Sequence, residues 1–256
     1  YYVLTASGGL WKTEDSGIHF EPIFDKYGTM SMGYLAIAPS NPKVLYLGTG
    51  EPMHARSSTH GNGMWKSTDA GKTWTHLGLR DGQQIPAIIV DPRNPGRLFV
   101  AVLGHPYGAN PERGVFKTTD GGKTWDKVLF VNDQTGAIDL VMDPTDPAIL
   151  YASAYDRIRK PWTYQVGGLG SGIYKTTDGG KTWKKILYIN PQTGAVDLVM
   201  NRRDPNTLYV AMYECQRFQW VLHDGGPGTA VYKTNDGGVR WQKLGGGLPG
   251  GDIGRI

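Results

Sequence analysis

The chain of 256 residues has a single cysteine, Cys215, so an internal disulfide is impossible and no site built on several cysteine ligands can form. No uninterrupted apolar run approaches the roughly 18 residues that a membrane helix needs, so no membrane span is expected. Clustered charge is missing too. The formal net charge is only +4, and its lysines and arginines are scattered, which argues against a nucleic-acid partner. No pair of histidines has the spacing of a helical metal site, and neither a nucleophile elbow nor a phosphate-cradling glycine loop occurs. No metal and no cofactor is therefore expected. Without a definable histidine partner, Cys215 reads as an inert small residue rather than a nucleophile. No leader segment is visible, and the chain opens at Tyr1 rather than Met, as a processed or excised protein would.

What is abundant is glycine, 37 residues, with 16 prolines, the composition of many short strands joined by turns. One motif recurs five times: Thr13-Glu14-Asp15-Ser16-Gly17, Ser67-Thr68-Asp69-Ala70-Gly71, Thr118-Thr119-Asp120-Gly121-Gly122, Thr176-Thr177-Asp178-Gly179-Gly180 and Thr234-Asn235-Asp236-Gly237-Gly238. Successive aspartates are 54, 51, 58 and 58 residues apart. The last four copies close on Trp74, Trp125, Trp183 and Trp241.

A short alternating segment precedes each copy, such as Met64-Trp65-Lys66 or Ile173-Tyr174-Lys175, and reads as a strand with one buried and one wet face. Another strand follows the motif. Two more flank a proline turn, as in Ala87–Val90 and Leu98–Val102 around Asp91-Pro92-Arg93-Asn94-Pro95. Four strands per unit at a period of 50 to 60 residues is the arithmetic of a propeller blade. The expected fold is all-β: a β-propeller of four-stranded antiparallel blades. There are about five blades' worth, at 34–79, 86–131, 137–190 and 195–245, with a partial blade at 1–24 and a further first strand at 250–256. Two accounts of the ends fit: they pair to close a five-bladed ring, or they belong to a larger propeller, the expectation adopted here.

Local chemistry explains the motif. The carboxylates of Asp15, Asp69, Asp120, Asp178 and Asp236 can accept hydrogen bonds from their own tight turns, and the glycines supply positive φ. A structural role is expected for all five, since one carboxylate per turn is too few for a calcium cage.

In such a blade the loops joining the second and third strands lie opposite the aspartate turns, and long ones mark the working face. They are 49–62, 104–113, 154–171 and 213–229. Two match in register, Tyr155-Asp156-Arg157-Ile158-Arg159-Lys160-Pro161-Trp162 and Tyr213-Glu214-Cys215-Gln216-Arg217-Phe218-Gln219-Trp220. Of eight tryptophans only Trp162 and Trp220 fall outside the repeat. Two readings stay open: each Arg stacks on its Trp as an internal clamp, or these residues contact a partner. The binding surface is expected to include Glu51, His54, Arg113, Tyr155, Arg159, Trp162, Tyr213, Glu214, Arg217 and Trp220. As an alternative, Glu51, Glu112, Asp156 and Glu214 could supply the carboxylate pair of a glycosidase.

The motif Ser/Thr-x-Asp-x-Gly-x-Thr-Trp resembles that of the Asp-box (BNR) propellers, which include sialidases, xyloglucan-cleaving enzymes, a photosystem-assembly propeller and sortilin-type (VPS10) receptors. The stretches Thr49-Gly50-Glu51, Glu112-Arg113-Gly114-Val115, Thr135-Gly136-Ala137-Ile138-Asp139 and Gly251-Asp252-Ile253-Gly254-Arg255 resemble bacterial sortilin-like proteins that carry a glycosyl hydrolase label. The resemblance covers the whole chain and implies a fold more than an activity. The Arg-Ile-Pro signature of sialidases is absent. Where the xyloglucan-cleaving enzymes carry the aspartate of a Thr-Asp-x-Gly-Gly segment, this sequence has Ala6 within Thr5-Ala6-Ser7-Gly8-Gly9. The resulting expectation is a non-catalytic, extracytoplasmic module that binds a protein or peptide, or serves as a subunit of a larger complex. The alternatives are a glycan-binding or glycoside-hydrolase-like propeller and a structural subunit of a cell-surface assembly.

Overall fold

A computed structural model describes residues 1–53, 58–247 and 253–255, and only the backbone of Ile158. His54 and the greater part of the expected strand at 250–256 lie outside the described residues.

Among the described residues the chain is all-β apart from one short 3-10 turn at Arg80–Gly82. Strands β1 (Tyr2–Leu4), β2 (Leu10–Lys12) and β3 (Glu21–Pro22) form a three-stranded sheet. Strands β4 (Met32–Ile37), β5 (Leu45–Thr49), β6 (Met64–Ser67) and β7 (Thr75–His76) form a four-stranded one. So do β8 (Ala87–Val90), β9 (Leu98–Val102), β10 (Gly114–Thr118) and β11 (Asp126–Leu129). The next unit comprises β12 (Thr135–Met142), β13 (Leu150–Lys160), β14 (Thr163–Thr176) and β15 (Lys184–Leu187). The last comprises β16 (Thr193–Met200), β17 (Leu208–Arg217), β18 (Leu222–Asp224), β19 (Ala230–Thr234) and β20 (Gln242–Lys243). Every strand pairing among the described residues is antiparallel, and within a unit they join chain neighbours, as in the meander of a propeller blade, except that β17 pairs with β19 across the inserted β18.

The cores lie between sheets rather than inside them. One cluster joins Tyr46 and Met64 of the second sheet to Ile88, Val100 and Phe116 of the third. The next joins Phe99 and Val115 to Leu140, Leu150 and Tyr174, and a third joins Tyr151 and Ile173 to Leu198, Leu208 and Val210. Each fully buried aliphatic or aromatic side chain contributes roughly 1.5–3 kcal/mol, so no sheet is stable apart from its neighbours.

At one end of the sheets, all five box hydroxyls donate to their aspartate: Thr13 to Asp15 at 2.9 Å, Ser67 to Asp69 at 2.7 Å, Thr118 to Asp120 at 2.7 Å, Thr176 to Asp178 at 2.8 Å and Thr234 to Asp236 at 2.8 Å. Each hydroxyl also accepts the N–H of the box glycine, as Ser67 does from Gly71 at 2.8 Å. Three carboxylates take a second hydroxyl, from Thr73, Thr124 and Thr182. These bonds favour the ionised form and hold Asp15 and Asp69 at about 2, with backbone N–H of His19 and the hydroxyl of Thr73 the leading causes. Asp120, Asp178 and Asp236 are lowered for the same reason.

Three of the lysines that precede the boxes carry a role between blades that the alternation did not show. Lys117 Nζ donates to Gly179 O at 2.8 Å, Lys175 to Gly237 O at 2.8 Å and Lys66 to Gly121 O at 3.4 Å, in each case the carbonyl of the next sheet's box. Each ammonium also sits over an aromatic ring of its own sheet, 5.3 Å from Tyr46, 5.5 Å from Phe99 and 5.1 Å from Tyr151. The closing tryptophans pack into the same seams, and Trp125 donates to Leu77 O at 2.7 Å.

The innermost strands β4, β8, β12 and β16 line a groove of about 630 Å³ that includes Tyr34, Asp139 and Asp197. A register shift in β4, β12 and β16 turns these three side chains toward it.

Candidate functional site

The segments 154–171 and 213–229, expected as loops, are largely strand. β13 and β14 run on past their neighbours to a two-residue turn at Pro161-Trp162, with Lys160 paired to Thr163. β17 and β18 form a shorter arm with Arg217 paired to Leu222. The arms are joined, because β14 also pairs with β17 through Tyr164–Arg217, Gln165–Gln216 and Val166–Cys215. This pairing merges the last two units into one nine-stranded sheet. Strand formation satisfies the backbone groups that a long projecting loop would leave to solvent.

Between the arm tips lies a cleft of about 910 Å³, walled by Tyr107, Arg159, Lys160, Trp162, Tyr164, Arg217, Phe218 and Leu222. Trp162 is 54% exposed, and Trp220, which follows the lining residues Phe218 and Gln219, is 80% exposed. Trp220 is stacked by Phe218, at 5.7 Å and 14° between planes, and not by Arg217. The ammonium of Lys160 lies 6.0 Å from the Trp162 ring. The clamp of Arg217 on Trp220 is thus corrected: the two-residue offset along the arm leaves Phe218 as the stacking neighbour. Thr163 Oγ1 donates to Arg217 O at 2.6 Å and ties one arm to the other.

Several residues expected on this surface are interior. Tyr155 and Tyr213 are buried in a cluster with Leu103, Val166 and Val196, where their rings close the joint between the two arms. Tyr213 donates to Asp224 Oδ1, and Cys215, also buried, donates to Tyr164 Oη at 3.0 Å. Arg113 is fully buried, donating to Leu103 O at 2.7 Å, His105 O at 2.9 Å and Gly108 O at 3.0 Å. These bonds fold the 104–113 loop around its guanidinium. Glu51 is buried too, its N–H held by Ser31 Oγ at 2.9 Å and its carbonyl by Gln84.

The matched acids Asp156 and Glu214 occupy equivalent places. Asp156 accepts from the Thr135 hydroxyl, its ladder partner, and Glu214 accepts Gly228 N–H at 3.1 Å beside its own ladder partner Thr193. Burial raises the Asp156 carboxyl above its usual range. Neither acid lines the cleft. Glu214 faces instead a smaller adjoining cavity of about 280 Å³ with Gln165, Gln192 and His223. The residues that the structure brings together are therefore Arg159, Trp162 and Arg217, with Trp220 joined to the wall through its stack on Phe218. The sequence reading missed Tyr107, Lys160, Tyr164 and Phe218, although the exposed aromatic spacing of Phe218 and Trp220 was a usable signal. Among the described residues no group of three or more His, Cys, Asp or Glu side chains could hold a metal ion. No helix there is long and apolar enough to cross a membrane.

Comparison with known proteins corrects the functional expectation. The chain is 26% identical over 186 residues to the xyloglucanase Xgh74A of Acetivibrio thermocellus, covering 62% of the chain and 20% of that protein. It is 27% identical over 216 residues to a xyloglucanase of a Paenibacillus species, covering 72% of the chain and 19% of that protein. The solved GH74 enzyme of Niastella koreensis superposes with a TM-score of 0.62 at 26% identity, covering 94% of the chain and 35% of that structure. The chain thus spans about a fifth of the length of these curated relatives. Their names overturn the expectation of a non-catalytic module for proteins or peptides and favour the glycoside-hydrolase-like alternative. The family described as Sortilin-Vps10 (sortilin, neurotensin receptor 3) matches residues 62–186 and 113–248, most of the chain. The chain is a β-propeller protein and belongs to the Sortilin-Vps10 family.

Proposed function

We propose that the chain is the polysaccharide-binding part of a glycoside-hydrolase-like propeller, with its cleft between the two arms as the glycan site and xyloglucan as the reference ligand. One observation carries this reading: exposed Trp162 and the Phe218–Trp220 stack flank a cleft whose polar walls are Arg159, Lys160 and Arg217. Flat apolar ring faces beside fixed hydrogen-bond donors match a sugar ring, which is apolar on its C–H faces and polar around its rim. The names of the relatives supply the substrate class. A polysaccharide ligand places the working module outside the cytoplasm. Asp156 and Glu214 serve as ties within the arms, so this surface is assigned binding rather than bond cleavage.

The test is titration with a xyloglucan oligosaccharide by calorimetry. Trp162→Ala and Trp220→Ala are each expected to weaken binding about tenfold, about 1.4 kcal/mol. Their exposure leaves the urea midpoint unchanged. Full affinity in the double variant would remove the cleft as the site.

A further inference from the structure

Beneath the tip of the longer arm lies a second, smaller cavity of about 160 Å³ that opens beside the cleft and shares Tyr107, Arg159 and Lys160 with it. Its remaining wall includes Arg113 and Arg157, both essentially fully buried. We propose that this cavity is a carboxylate-binding subsite, which takes the acid group of a uronic-acid residue on the glycan held in the cleft. The inference rests on the glycan reading above and narrows it from polysaccharide to acid-bearing polysaccharide.

The charge balance is the first argument. Arg113 spends its terminal N–H groups on carbonyl oxygens of Leu103, His105, Gly108 and Arg157. Arg157 spends its own on Pro52 O, Met53 O and the side-chain oxygen of Gln84. All of these acceptors are neutral. The ion pairs of the described residues involve Lys12, His19, Arg97 and Arg240, and neither buried arginine. Glu51, Asp133 and Asp156 act on the two guanidinia only from a distance, and Asp156 is occupied by Thr135. Desolvation lowers Arg113 to about 10, which still leaves it charged at neutral pH. A buried cation without an ionised partner is costly, and a carboxylate with matching geometry relieves that cost.

Unsatisfied polar atoms are the second argument. Seven buried side-chain nitrogen or oxygen atoms among the described residues find no hydrogen-bond partner. Four of them, His105 Nε2, Asn110 Oδ1, Arg113 Nε and Arg157 Nε, belong to the 104–113 loop and the arginine behind it. Native interiors rarely leave such groups orphaned, and two of the four belong to Arg113 and Arg157 in the cavity wall, which points to a polar occupant there. Continuity with the cleft selects a substituent of the bound glycan over a free anion, since Arg159, Lys160 and Tyr107 face both spaces.

The experiment compares oligogalacturonate, a neutral xyloglucan oligosaccharide and inorganic phosphate as ligands of the full chain. Two variants spare the fold: Lys160→Gln at the exposed tip, and Gly108→Asp, where an added Cβ meets nothing within 4 Å and the new carboxylate competes for the site. Oligogalacturonate is expected to bind at least tenfold more tightly than the neutral oligosaccharide. That advantage should shrink with added salt and vanish in Gly108→Asp, while neutral binding persists. Neutral binding with no acidic advantage, or an advantage that survives Gly108→Asp, overturns the subsite and leaves the glycan reading standing. Phosphate that binds as tightly as oligogalacturonate overturns the uronate assignment. Binding of neither glycan overturns both.

Discussion

The carboxyl of Asp139 offers the sharpest quantitative test of the central groove. It sits on β12 with Oδ1 accepting Leu140 N–H at 2.8 Å and Oδ2 accepting Leu198 N–H at 3.1 Å. Burial pushes it up to about 7, and the like charge of Asp197 on the adjacent β16 adds to the push, against the pull of the two N–H donors. The sign follows from linkage. The folded state keeps a proton that the unfolded chain releases near pH 3.8–3.9, so folding loses stability as pH rises from about 4 to about 7 and then levels off. Each pH unit in that window costs at most about 1.4 kcal/mol, so the interval from pH 5 to 7 carries a ceiling of about 3 kcal/mol. The groove admits water on the open side of the side chain, which brings the expected loss to about 1.5 kcal/mol. Urea midpoints at pH 5 and pH 8 measure it, with Asp139→Asn as the comparison. The amide can accept only one of the two N–H bonds, which lowers stability by about 1 kcal/mol relative to the parent at pH 5, where the parent carboxyl is protonated. The pH dependence should nevertheless flatten. If Asp139→Asn and the parent chain lose the same stability between pH 5 and pH 8, the assignment of that loss to Asp139 is wrong.

Two further outcomes test the seams between sheets. Lys117→Met removes the 2.8 Å bond to Gly179 O and the contact with the Phe99 ring, and should cost about 1 kcal/mol in a urea melt while the shape and apolar stem remain. An unchanged midpoint would mean that these lysines are bystanders. Ala70 adopts φ 60° at the box position where Gly121, Gly179 and Gly237 stand in other sheets, also at positive φ. Ala70→Gly should therefore stabilise the chain by about 0.5–1 kcal/mol, the relief of left-handed strain offset by the greater freedom of glycine when unfolded. A loss of stability would refute the strain argument.

The repeat was legible because its causes are local. An Asp box needs a hydroxyl two residues before the carboxylate and a glycine two residues after it, and the hydrogen bonds from Thr118 to Asp120 and from Gly122 to Thr118 span just that distance. What stayed hidden depends on contacts between units. The lysine before each box was visible as the wet half of an alternation, but its reach to Gly121, Gly179 or Gly237 needs the next sheet in place. The arms were misread as loops because β14 and β17 pair residues about 50 positions apart, as Tyr164 does with Arg217. Arg113 was expected at the surface because it ends the 104–113 loop of the working face. Nothing local announced that three carbonyls of its own loop would enclose it. Trp162 and Trp220 stood out in the sequence for the opposite reason: they break the repeat, and both are exposed beside the arm tips.

The two ends of the sheets differ in regularity. β14 runs from Thr163 beside the cleft to Thr176, which opens the Asp178 box, and fourteen residues of strand separate the ends by on the order of 40 Å. At the box end three successive seams are locked through lysine, aromatic ring and tryptophan, so variation there is paid in stability. At the arm end the neighbouring units differ in length, and among the described strands β14 and β17 alone pair from unit to unit. A scaffold fixed at one end can lengthen a hairpin at the other without disturbing its seams. That asymmetry is why the cleft, its exposed rings and its buried arginines all occur where the repeat is least regular, and why substitutions such as Trp162→Ala should separate binding from folding where Lys117→Met cannot.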